Sequence, residues 1–359
     1  ISNNMIKFIK KNPAIPQRWI VLTALAYSLT AAQAQTPQAE KAFIKENMEF
    51  ATKQYSLMMQ TPAQGKNGKA IMPHSIRKDG TPSKGSIYLW TAGFFPGTLW
   101  YLSNYTGDKA LQDSALVYTH QMEPAKTFTD NHDIGFMMYC SYGNANRFAP
   151  KDEYEDILVE SARSLCTRFR PQAKVIQSWN GFRSWHGDKV YDFPVIIDNM
   201  MNLELLFHAS KVTGDESFRK VAISHAEQVM HHQVRKDYSC FHIIYYDKKT
   251  GKPIKGETSQ GYSDNSAWSR GQAWGIYGFT MCYRETKDKR FLKTAEKMAD
   301  FYLDHPNLPS DKVAWWDFNA FQEGYTPGIR SNACKMVNNY RDASAAACVA
   351  SALLELSTY

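Results

Sequence analysis

An all-α toroid of helical hairpins, carrying a small β-hairpin as decoration, is the fold class that three features of the sequence predict. One turn pattern recurs along the chain, an aromatic helix poor in charge precedes each turn, and an amphipathic helix follows it. The turns are Thr106-Gly107-Asp108-Lys109, Thr213-Gly214-Asp215-Glu216 and Thr286-Lys287-Asp288-Lys289, with a weaker relative at Pro150-Lys151-Asp152. Glycine suits the left-handed residue that ends a helix, and the Asp can accept hydrogen bonds from the free N–H groups that begin the next.

Each element follows from these turns. The helix after a turn repeats apolar residues three and four apart, as in Phe218, Val221, Ala222, Ala226, Val229 and Met230. The segments before the turns, Phe94 to Tyr105, Ile134 to Ala145, Met200 to Val212 and Gly271 to Tyr283, are apolar on most sides and predict buried inner helices. A closed ring buries them all; an open solenoid fits the hairpins but leaves one aromatic face to water. Phe241 to Tyr246 followed by Asp247 to Gly251 predicts a strand and a hairpin turn. Pro171 to Pro194, with Trp179, Trp185 and His186, is a long connection of the kind that carries function on a rigid frame.

A chain of 359 residues with 43% hydrophobic and 21% charged residues can bury a large core. Lys7, Lys10, Lys11 and Arg18 precede an apolar run from Trp19 to Leu29, and Ala32-Gln33-Ala34 follows. That order reads as a signal peptide with upstream residues over 1–34, a catalytic domain over 35–359, and a periplasmic or secreted protein. No later stretch is long and apolar enough for a membrane helix, and no nucleic-acid partner is expected. The six cysteines have no CxxC spacing, and His231-His232 has no HExxH companion, so neither a metal nor another cofactor is expected. Cys282 and Cys348 fall in apolar helical patterns and are expected in the core.

The chemistry concentrates where the inner helices begin. Trp90 lies 18 residues before Asp108, Asp133 lies 19 before Asp152, Asp198 lies 17 before Asp215 and Arg270 lies 18 before Asp288. Hairpins of one sense bring these starts to one end of the toroid. Helix N-termini and Arg270 suit an anionic sugar, aromatic rings stack on sugar faces, and two acids suit proton transfer. For either Asp alone, helix capping is the competing role.

Asn131-His132-Asp133-Ile134-Gly135-Phe136, Ile197-Asp198-Asn199-Met200-Met201-Asn202 and Trp268-Ser269-Arg270-Gly271-Gln272-Ala273-Trp274-Gly275 together resemble the unsaturated glucuronyl hydrolases of glycoside hydrolase family 88, from about Ala42 onward. The resemblance implies an (α/α)6 barrel that removes a 4,5-unsaturated uronic acid from the non-reducing end of a lyase-generated oligosaccharide. It implies Asp198 as the acid/base that protonates C4 and delivers water to C5, and Asp133 as the second carboxylate. It further implies substrate contacts from Trp90, His132, Trp179, His242, Gln260, Arg270 and Trp274. An unsaturated rhamnogalacturonyl hydrolase of family 105, acting on pectin fragments, and a non-catalytic sugar-binding toroid remain as alternatives.

Two expectations concern the C-terminal part. Gln322 to Asn339 reads as a long polar insertion, and Arg330, Lys335 and Arg341 could contact a sulfate or a second sugar or could be surface charge. The inner helix that begins at Asp342 should reach its turn at 359–361, where the sequence ends, so its outer partner is expected to be absent.

Overall fold

The computed structural model describes residues 37–60 and 71–359. The chain divides into two units, Ile1–Ser56 and Leu57–Tyr359. The expected signal peptide lies outside the described residues. Helix α1 (Pro37–Met59) is the described part of the first unit and runs into the second. Among the described residues, no helix is long and apolar enough to cross a membrane.

The predicted hairpins are present in the second unit. They are α2 (Phe94–Thr106) with α3 (Lys109–Gln121), a helical run over 134–148 with α6 (Asp152–Cys166), α7 (Asn199–Thr213) with α8 (Glu216–His232), and α9 (Ser269–Thr286) with α10 (Lys289–Asp304). The run over 134–148 consists of α4 (Ile134–Met138), a π-helical turn (Tyr139–Gly143) and α5 (Asn144–Phe148). Helix α11 (Ala343–Leu356) follows at the C-terminal end.

The turns obey the chemistry that located them. Gly107 and Gly214 take left-handed φ values of 70° and 73°, and Lys287 takes 58° without glycine's freedom. Asp108, Asp215 and Asp288 each accept a hydrogen bond, at 2.8 Å, from the N–H group two residues on. The fourth turn departs from this pattern: no left-handed residue precedes it, Asp152 is already helical, and Lys151 at the cap position has no acceptor to offer.

Burial separates the two kinds of helix clearly at α9 and α8, whereas α2, expected to be buried, leaves Phe94, Tyr101 and Tyr105 exposed. On α9 nearly every residue from Gly271 to Cys282 is buried, whereas α8 buries only the stripe of Phe218, Ala222, His225, Ala226 and Val229. Each buried large apolar side chain contributes about 1.5–3 kcal/mol relative to exposure. Inner helices pack side by side, α4 on α7, α7 on α9 and α9 on α11, each of the first three backed by its outer partner. This is the arrangement of an (α/α)6 barrel. Helix α11 buries Ala345, Val349 and Ala352 on α9 and leaves Leu354 exposed. Cys282 is buried and Cys348 half-buried.

The expected hairpin is β8 (Ile243–Tyr246) paired with β9 (Pro253–Glu257), and it gains a third strand, β7 (Pro194–Ile196). Further two-stranded ribbons, unanticipated in the sequence, are β1 (Ile71–Ile76) with β2 (Pro82–Ser86), β3 (Phe169–Arg170) with β4 (Val175–Ile176), and β5 (Phe182–Arg183) with β6 (Val190–Tyr191). Most are two-residue pairings, too short to show an alternation of apolar and polar residues.

Candidate active site

The two carboxylates are set relative to each other by the packing of α4 on α7. Asn202 accepts a hydrogen bond from the Phe136 N–H at 2.8 Å, and a Cβ on Gly135 would stand 2.4 Å from the same Asn202 oxygen. Only glycine allows that approach. The contact joins the helix start bearing Asp133 to the helix that begins after Asp198.

Neither carboxylate caps its helix. Asp133 and Asp198 both have right-handed helical backbone, and neither side chain accepts from the N–H groups that follow. Asp342, by contrast, caps α11 through the Ala345 N–H at 2.9 Å. The competing structural role is thereby removed for both acids, whose oxygens are left for other partners.

Sheet register delivers the histidine beside Asp198. Ile196 pairs with Ile243, and the Ile197 N–H donates to the His242 carbonyl at 3.0 Å, so His242 and Asp198 leave the sheet together. His242 Nε2 lies 3.6 Å from Asp198 Oδ2. Its Nδ1 accepts from the N–H groups of Ser259 (2.9 Å) and Gln260 (3.2 Å), which places the ring proton on Nε2, toward the acid. His132 Nε2 likewise lies 3.3 Å from Asp133 Oδ1, with Ser178 Oγ 3.4 Å from its Nδ1. The Ser178 oxygen already accepts from the Ile196 N–H, leaving its own proton for the imidazole.

Burial sets the protonation states. It pushes the Asp198 carboxyl up to about 7, against the opposing pull of its own backbone N–H and of Arg270. Asp133 is pushed up to about 7 by burial and then by the charge of Asp198, with Arg168 opposing. Burial holds His132 and His242 down to about 3, so both rings are neutral donors. Asp198 Oδ2, His132 Nε2, His242 Nε2 and Trp274 Nε1 are buried and close no good hydrogen bond with protein, which marks the place where a polar ligand or water would be satisfied.

Aromatic rings wall this pocket. Phe136 stands between Trp90 and Trp274, 5.4 Å from each, and Trp268 packs 4.6 Å from His242. Trp274 is only 5% exposed, so it belongs to the core as well as to the wall. Trp179 reaches the site through His242, at 6.4 Å between ring centres, and otherwise packs on Phe182.

Arg270 lies over the Trp268 ring at 5.2 Å, with its Nη1 3.6 Å from Asp342 Oδ2 and its Nη2 3.5 Å from Gln260 Oε1. Arg270 and Gln260 also line an open cleft of about 510 Å³ together with Trp185, Trp316, Tyr340 and Asp342. The carboxylates are not part of that lining; Arg270 is the link between the cleft and the acid pair. All nine residues singled out in the sequence are thus connected by contacts.

The insertion forms part of the cleft, and two cations in and after it are paired with protein, Arg341 while also lining the cleft. Arg330 donates to Gly187 O and Asp188 Oδ1, and its own N–H to Trp185 O, fastening the β5–β6 ribbon. Arg341 grips both Asp311 oxygens, at 2.9 and 3.1 Å, and covers Trp315. Lys335 is exposed in a 3-10 turn, Asn332–Lys335. Sequence reasoning missed Trp316, Arg168, Ser178 and Asp342 as site neighbours, whereas Phe136 and Trp268 stood inside motifs already noted.

Among the described residues, His186, Glu257 and Asp264 come close enough together to invite a cation. The set does not fit one. Glu257 already accepts from Lys255, Ser184 and Tyr245, and the Lys255 ammonium, 2.5 Å away, supplies the positive charge there.

Known proteins share this sequence and frame. An unsaturated glucuronyl hydrolase of Formosa agariphila is 44% identical over 291 residues, 81% of this chain and 67% of that protein. An unsaturated chondroitin disaccharide hydrolase of Streptococcus pyogenes is 35% identical over 76% of this chain and 66% of its own length. The chain therefore spans about two thirds of the length of these curated relatives. The solved structure of an unsaturated glucuronyl hydrolase specific for heparin superposes with a TM-score of 0.77 at 41% identity, covering 88% of this chain and 79% of that one. The profile of Glycosyl Hydrolase Family 88 matches residues 69–285, and the chain belongs to that family.

Proposed function

We propose that this protein is a glycoside hydrolase that removes the 4,5-unsaturated uronic acid from the non-reducing end of glycosaminoglycan-type oligosaccharides released by lyases. A buried carboxylate, Asp198, and a half-buried one, Asp133, neither capping its helix and each beside a neutral histidine, carry this reading. Family membership and the activities named for the relatives support the substrate class.

In this reading Asp198, raised toward 7 by burial, holds the proton that goes to C4 of the enol ether. Positive charge develops at C5 and is stabilised by ionised Asp133. Water adds to C5 and gives its proton to the Asp198 carboxylate, restoring the acid. The C5 hemiketal opens with cleavage of its bond to the ring oxygen, which leaves a hemiacetal at C1, and its collapse releases the aglycone alcohol. Arg270 binds the uronate carboxylate as a planar fork, and Trp90, Trp179 and Trp274 with His132, His242 and Gln260 enclose the ring. Export to the periplasm or beyond is part of the same reading and rests on the basic and apolar pattern of residues 1–34.

The test is an assay of purified protein on an unsaturated chondroitin disaccharide and on an unsaturated rhamnogalacturonan fragment. Loss of the ultraviolet band of the C4=C5 bond with the first substrate, and little with the second, is the expected result. The reverse preference would move the protein to pectin chemistry, and binding without loss of the band would make it a receptor.

A further inference from the structure

Arg168 lies just after α6, at the entrance to β3, and is 3% exposed. A guanidinium remains charged at physiological pH, and a buried one ordinarily meets a carboxylate. This one meets neutral oxygens instead. Its Nε donates to Gln177 O at 2.8 Å, its Nη1 to Thr129 O, and its Nη2 to Ser178 O at 3.3 Å and Asn180 Oδ1 at 3.2 Å.

Those acceptors surround the approach to Asp133. The Ser178 carbonyl that Arg168 holds also accepts the His132 N–H at 3.1 Å, and the Ser178 hydroxyl faces the His132 ring. Thr129 begins the segment in which Asn131 accepts the Asp133 N–H at 2.8 Å. One buried guanidinium therefore grips both sides of the turn that presents Asp133.

We propose that Arg168 is a positioning residue of the hydration reaction: it locks the segment from Thr129 to Asp133 onto Ser178 and sets a buried positive charge on the Asp133 side of the acid pair. The proposal rests on the acid and base roles given to that pair above.

The charged and titratable groups around the pair divide by side. Asp133 faces His132 on its own segment, Asp198 from the start of α7 and Arg168 from just after α6, and Arg168 in turn is acted on by Arg170 and by Asp130 as well as Asp133. Asp198 faces His242 beside β8 and Arg270 on α9. Both histidines are neutral, so each acid has one nearby cation. A bound uronate neutralises Arg270 and leaves Arg168 as the remaining bias, which favours the anion at Asp133 and the proton at Asp198. Two carboxylates with no such bias would share one proton without direction.

The test compares the pH dependence of kcat for wild type, Arg168→Gln and Arg168→Lys on an unsaturated chondroitin disaccharide, with circular dichroism to verify the fold. Loss of the cation raises the Asp133 carboxyl, so the acid limb of Arg168→Gln should move to higher pH and its kcat fall at least tenfold, with KM little changed. Arg168→Lys keeps the charge without the fork and should keep the acid limb in place with a smaller loss of kcat. A purely structural arginine would alter stability and leave the acid limb where it is. An unmoved acid limb in folded Arg168→Gln, or loss of the fold in both variants, would overturn the proposal. A wild type inactive at every pH would sink the functional reading itself.

Discussion

His242 Nε2 stands 3.6 Å from Asp198 Oδ2, and the other ring nitrogen is closed off by the N–H groups of Ser259 and Gln260. The imidazole is therefore a fixed donor toward the acid and not a proton shuttle. At 3.6 Å the two close no hydrogen bond at rest; one that forms as Asp198 gives up its proton, and so goes to a charged group, is worth about 1.5–3 kcal/mol, or about 10–100-fold in rate. His242→Leu should lose kcat on that scale, and His242→Gln, which can return a donor near Nε2, should recover part of it. Equal losses in steady-state kinetics would show that the ring serves packing alone.

The caps and the acids should separate cleanly under mutation. Asp215 caps α8 and lies in an exposed turn, so Asp215→Ala should lower stability measurably with turnover unchanged. Denaturant unfolding and kinetics on the same preparation decide this. Lost turnover with unchanged stability would contradict the division of labour between helix ends and cleft.

Buried acids raised toward 7 also imply a stability cost. Between about pH 4, where a carboxyl titrates in the unfolded chain, and pH 7, the folded state binds more protons, so stability falls as pH rises. Asp198→Asn carries no such charge. It should melt a few degrees above wild type at pH 8 and lose that advantage near pH 4, as followed by thermal unfolding at both values. An equal melting difference at the two pH values would show that the carboxyl is not raised.

Arg270 is held over Trp268 by Asp342 and Gln260. Arg270→Lys keeps the charge and loses the planar fork, so KM should rise by about tenfold or more while kcat changes less. Asp342→Asn preserves a good cap for α11 and frees the guanidinium, and should raise KM by a smaller factor. Unchanged KM in both variants would place this arginine in the frame and not at the substrate.

The sequence revealed those parts of the fold that repeat. Glycine or another left-handed residue before Asp at 107, 214 and 287 marks a hairpin through local backbone chemistry alone, and the start of each inner helix follows by counting back. The histidine beside Asp198 was harder to place, because its position comes from the register of β7 on β8, between segments far apart in the chain. Arg168 gave no signal at all: its four acceptors are mostly backbone carbonyls, which any residue supplies. The cations in and after the insertion left two roles open for a similar reason, since the partners of Arg330 and Arg341 are fixed only by tertiary contacts.

The central claim is that Asp198 supplies the proton to C4, and the most direct measurement is the single-turnover loss of the C4=C5 ultraviolet band in Asp198→Asn beside wild type. Proton transfer by a positioned side chain contributes about 10²–10⁴-fold, and the isosteric amide cannot provide it. The account predicts that the variant folds, binds the unsaturated disaccharide and leaves the band intact over times in which wild type removes it. A folded variant that bleaches the band at near wild-type rate would contradict the assignment.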